Sequence, residues 1–100
     1  MIQIELQKTP NQNLKLRINE ELYDITIKTT QYSTHISISR DDVILVSSQI
    51  LIPNSKIIRY DYLVTDGNFV FETQSNNLPD YTKFNVSQFL YYLTNDELAQ

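Results

Sequence analysis

Apolar and polar residues alternate along most of the chain, the period-two pattern of strands with one buried face. Ile2, Ile4 and Leu6 share one side, with Gln3 and Glu5 opposite. Thr9 to Gln12 reads as a turn, and Leu14, Leu16 and Ile18 resume the pattern with Lys15 and Arg17 on the wet face. Asn19-Glu20-Glu21 is a short reversal, followed by Tyr23, Ile25 and Ile27. These three segments are expected to form a meander.

Residues 34–40 predict another strand with Ile36 and Ile38 inward, ended by a tight Asp41-Asp42 turn. Val43 to Val46 is continuously apolar, which predicts a strand covered on both faces. The polar Ser47-Ser48-Gln49 before Ile50-Leu51-Ile52 predicts a bend or bulge. Residues 57–63 fit either a strand or a helical turn. Asp66-Gly67 reads as a type I′ hairpin turn, with Phe69 and Phe71 on one face of the strand after it. Residues 74–83 form the longest loop. Val86 to Leu93 predicts a last strand with Phe89, Tyr91 and Leu93 on one side. Thr94 and Glu97 have capping-box spacing for one terminal helical turn.

The fold class expected is all-β: one small antiparallel barrel or sandwich of about seven strands, with at most one short C-terminal helical turn. One hundred residues suit a single domain spanning 1–100. A single alanine and a single glycine beside abundant β-branched and aromatic residues favour strands over helices. The chain is expected to start directly at its fold, because Met1 to Leu6 lacks the pattern of a signal peptide.

Composition narrows function mostly by exclusion. A net charge of −4, with scattered Lys and Arg, argues against nucleic acid as a partner, since phosphate contacts need a basic face. No apolar run approaches the ~20 residues of a membrane helix, so no membrane partner is expected. Without cysteine there are no disulfides and no thiolate ligands. His35, the one histidine, lies on an alternating strand beside Ser37 and Ser39 with no partner set for a metal or a triad. The adjacent acids Glu20-Glu21 and Asp41-Asp42 belong to turns. The reading is therefore no enzyme, no catalytic residue, no metal and no cofactor.

The aromatics point instead to binding. Six of the seven tyrosines lie outside the first three strands. Tyrosine offers broad amphipathic contact area at low entropic cost. Tyr60, Tyr62, Tyr81, Tyr91 and Tyr92 are the partner-contact candidates. In the Tyr91-Tyr92 pair, neighbours on a strand face opposite ways, so one can point outward.

Several landmarks in order carry a resemblance: Thr9-Pro10-Asn11-Gln12, Glu20 to Lys28, Ile52-Pro53-Asn54 and Tyr60-Asp61-Tyr62-Leu63, then Asp66-Gly67-Asn68-Phe69, Leu78-Pro79-Asp80-Tyr81 and Leu90-Tyr91-Tyr92-Leu93. Together they resemble the short baseplate plug proteins of contractile-tailed bacteriophages, over essentially the whole chain. The sequence departs from that pattern at Asn19-Glu20-Glu21 and at Asn85, where glycine is more typical; asparagine tolerates the left-handed backbone. The resemblance implies a structural role on the tail axis, with hub, central spike and tail tube proteins as partners and a homo-oligomer as a further possibility. It also implies residence in the virion baseplate after assembly in the bacterial host cytoplasm. A carbohydrate-binding β-domain is the alternative, from tyrosines beside Asn, Asp and Gln. An oligonucleotide-binding barrel is disfavoured by charge.

Overall fold

The computed structural model describes residues 1–31, 33–60, 64 and 66–99. The seven strands are β1 (Ile2–Ile4), β2 (Asn11–Ile18), β3 (Glu21–Thr29), β4 (Thr34–Arg40), β5 (Val43–Ile50), β6 (Gly67–Glu72) and β7 (Phe89–Thr94). They form two open antiparallel sheets, β2-β3-β4-β5 and β1-β7-β6, with no closed barrel among the described residues. The chain divides into two compact units: a meander unit, Thr9–Leu51, and a terminal unit made of Met1–Lys8 with Ile52–Gln100.

In the meander unit, alternation translates directly into burial. Tyr23, Ile25, Ile27, Ile36 and Ile38 are at most 1% exposed, while Lys15 and Arg17 stay outside. The β2–β3 and β3–β4 ladders run without a slip. Two hairpins close through two-residue turns with both residues left-handed, Asn19 (φ 51°) with Glu20 (φ 68°), and Asp41 (φ 49°) with Asp42 (φ 68°). Paired positive φ values define the type I′ turn, whose twist matches that of the flanking strands. Asp41 adds a local tie, accepting the Leu22 N–H on Oδ1 at 2.9 Å and donating its own N–H to the Leu22 carbonyl at 2.9 Å.

The bend expected at Ser47-Ser48 is present as a register shift. Ile36 faces Gln49 and Ile38 faces Val46, so β5 spends one residue more than β4. Ser48 has φ 45°, and its N–H donates to Ser37 Oγ at 2.9 Å. A second extra residue falls between the Ile38–Val46 and Ser39–Ile44 pairs. That slip turns the consecutive Leu45 and Val46 inward, at 6% and 5% exposed. Val43 and Ile44 are left outside, so the expected coverage of this run on both faces does not hold.

The terminal unit departs further from the sequence reading. β1 pairs with β7, Ile2 opposite Tyr92 and Ile4 opposite Leu90, and so does not join β2 and β3 in a meander. Alternation reveals which face of a strand is buried; it says nothing of which strand lies beside it. β7 begins at Phe89 rather than Val86, because the N–H groups of Val86, Ser87 and Gln88 all turn back to the Lys83 carbonyl at 3.1 Å. The buried side chains of β7 are consequently Leu90 and Tyr92, and not the Phe89, Tyr91 and Leu93 set. Tyr92 meets Phe69 edge-on at 5.2 Å, and Phe71 meets Phe84 at 5.6 Å, both favoured aromatic geometries.

Gly67 is not a turn residue. It starts β6, pairs with Thr94 and has no positive φ. A Cβ there would collide with the Leu93 carbonyl and the Tyr92 ring, so the glycine serves close approach rather than turn geometry. The loop over 74–83 holds two short 3₁₀ turns, Gln74–Asn76 and Tyr81–Lys83, beyond the single helical turn expected. That expected turn is α1 (Asn95–Leu98), with Thr94 and Glu97 forming the capping box. Of residues 57–63, Ile57 donates to the Phe69 carbonyl at 2.9 Å and Ile58 is buried; Tyr62 lies outside the described residues.

Where strands end, asparagine side chains take over the ladder. Asn68 Oδ1 accepts the Ile58 N–H at 2.9 Å and its Nδ2 donates to the Ile58 carbonyl at 2.9 Å. Asn54 does the same for Thr73, at 3.1 and 3.2 Å. Asn85 accepts the Leu6 N–H at 3.2 Å and returns a hydrogen bond to the Leu6 carbonyl. Asn54 and Asn85 sit at φ 60° and 63°, the left-handed backbone expected of asparagine at position 85.

Candidate functional site

The residues with chemical potential are dispersed. Among the described residues no group of three or more His, Asp or Glu side chains is placed to hold a metal ion. His35 is half-buried on β4, with Nδ1 3.5 Å from Ser33 Oγ. Glu21 forms an ion pair with Arg40 at 3.1 Å, across the β3–β4 end where Tyr23 faces Arg40. Asp24 accepts from Asn13 Nδ2 at 2.6 Å and lines a shallow groove of about 190 Å³ with Thr26, Ser37, Ser39 and Ile44.

The tyrosine candidates occupy different elements. Tyr60 is 61% exposed. Tyr81 opens a 3₁₀ turn and is half-buried. Tyr91 is half-buried on β7 with its ring 6.0 Å from that of Phe89. Its phenol is raised above the ordinary value by burial and, secondarily, by the charge of Glu72, so it stays a neutral hydrogen-bonding group. Tyr92 is 1% exposed and belongs to the core; it has no side-chain surface to offer a partner. The pair thus splits, one residue inward and one outward.

A stronger surface feature is one that tyrosine counting misses. β5 is the last strand of its sheet, with no strand on its outer side among the described residues. Sheet edges in monomeric proteins are usually blunted by charge or proline. β2, the opposite edge of this sheet, follows that rule with exposed Lys15 and Arg17. β5 (Val-Ile-Leu-Val-Ser-Ser-Gln-Ile) has neither a charge nor a proline, and its two register shifts are its blunting device. Val43, Ile44 and Ile50 on it are 53%, 68% and 55% exposed. The sequence signal was available: no charged residue occurs between Asp42 and Lys56. Continuous apolar character predicts burial, but at an edge it is also the composition of an adhesive strand.

A family model described as cyanophage baseplate Pam3 plug gp18 matches residues 1–96. The chain belongs to this family of baseplate plugs. It is accordingly a structural component of a phage tail baseplate, part of the virion and in contact with other baseplate proteins. The match takes in all seven strands, so both units of this plug belong to the family pattern. The resemblance carried by the ordered landmarks is upheld at the level of the family. No curated protein matches the plug.

Proposed function

We propose that this plug is a non-enzymatic closure element at the central hub and spike of the baseplate, its two units acting as one domain. It works by protein–protein contact, and it joins the baseplate in the host cytoplasm. The observation that carries this reading is the uncharged, exposed β5 edge, in contrast to the opposite edge, β2, protected by Lys15 and Arg17. An edge of that kind gains main-chain hydrogen bonds when a strand of a hub, spike or tube protein is added to it, and alternate side chains set the choice of partner. The exposed Ile44 and Val43 supply apolar area next to those bonds.

Co-expression with the hub, spike and tube proteins encoded beside it, followed by size-exclusion chromatography with light scattering, tests the proposal. A complex of fixed stoichiometry is expected, weakened by Ile44→Lys with no change in the fold of the free chain. Elution of the wild-type chain by itself, as monomer or as homo-oligomer, in the presence of all three would overturn it.

A further inference from the structure

At 78% exposed, Leu78 is the most exposed large apolar residue among those described. A single exposed leucine on a pliant loop means little. Here the backbone around it is held. Gln88, 2% exposed, accepts the Asp80 N–H on Oε1 at 2.7 Å and donates from Nε2 to the Leu78 carbonyl at 3.0 Å. Between those two anchor points Pro79 fixes φ. Asp80 then caps the following 3₁₀ turn, accepting the Thr82 N–H at 3.0 Å and the Thr82 hydroxyl at 2.7 Å. Gln88 is itself secured, since its carbonyl accepts the Asn85 N–H at 2.8 Å. A buried glutamine with both ends engaged is an expensive way to leave a loop free and an effective way to mount one.

A side chain on a rigid mount loses little conformational freedom on docking, the condition under which one residue can anchor an interface. Residues 73–79 carry no charge, so the surface that receives them needs none at its rim. Two grooves of the plug, of about 170 and 190 Å³, each carry a charged residue in their lining, Lys56 and Asp24, and so differ from such a surface. We infer that Leu78 is an anchor that seats the plug in a preformed, uncharged apolar pocket of a neighbouring baseplate protein. The inference rests on the baseplate reading above and adds a second contact, in the terminal unit, to that of β5.

The test is retention of the full-length plug in purified phage tails, quantified by mass spectrometry. Leu78→Ser is expected to lower retention about tenfold or more, Leu78→Met to keep it, and both to unfold at the wild-type temperature. Leu78→p-benzoylphenylalanine, irradiated in assembled tails, is expected to cross-link to another baseplate protein. Undiminished retention of Leu78→Ser, or a cross-link only to a second copy of the plug, would overturn the anchor and leave the baseplate role standing. Absence of the wild-type chain from tails would overturn both.

Discussion

Asn68 and Ile58 are joined as two strand residues would be, N–H to oxygen and nitrogen to carbonyl at 2.9 Å each, except that one partner is a side chain. The Asn68 oxygen also accepts the N–H of Phe69 at 2.8 Å. A buried amide with three of its four hydrogen-bonding positions in use ties down three backbone groups, and its removal strands them away from water.

Asn68→Ala is therefore expected to cost about 2–4 kcal/mol, measured by urea denaturation. Asn68→Asp keeps the shape but places a carboxylate against the Ile58 carbonyl. Its loss should be larger at neutral pH and partly recovered as the pH falls and the protonated acid regains a donor. Equal stability of Asn68→Asp at both pH values would contradict the two-point geometry.

Gly67→Ala sets two effects against each other. With no positive φ at this position, alanine would ordinarily gain about 0.4–1 kcal/mol from a less flexible unfolded chain. The collision of its Cβ with the Leu93 carbonyl and Tyr92 ring acts the other way, at about 1–3 kcal/mol for overpacking. Net destabilisation is expected in a thermal melt; a raised midpoint would show that β6 and β7 can separate cheaply.

Glu20→Gly should move the opposite way. Glu20 has φ 68° in its type I′ turn, a conformation that costs a side-chain-bearing residue about 1 kcal/mol and glycine almost nothing. Denaturant midpoints should rise in Glu20→Gly, and by less in Asp42→Gly, because aspartate tolerates φ 68° better than glutamate.

If the two units act as one domain, the whole chain should unfold in a single transition, with calorimetric and van't Hoff enthalpies in agreement. Two resolved heat-absorption peaks would assign each unit its own stability and refute the single-domain reading.

What was legible in the sequence was whatever depends on neighbours along the chain. Tyr23, Ile25 and Ile27 are buried where alternation put them, and Thr94 caps α1 as its spacing with Glu97 required. Asn19 and Asn85 take the left-handed backbone that their residue type permits. What stayed hidden depends on distant contacts. The pairing of Ile2 with Tyr92, the need for Gly67 to make room for Leu93, and the capture of Ile58 by Asn68 leave no local signature. The β5 edge was hidden differently: the composition of Val43 to Val46 was plain, and only the strand order shows that no strand flanks it among the described residues.

The pairing of β1 with β7 also imposes an order on synthesis. Residues 9–51 can zip together as soon as they clear the ribosome, since each strand meets the one made just before it. β1 precedes this meander and has no strand neighbour until β7 has been translated, so Ile2 and Ile4 wait for Tyr92 and Leu90. A nascent plug thus keeps the apolar face of β1 uncovered until β7 arrives to pair with it.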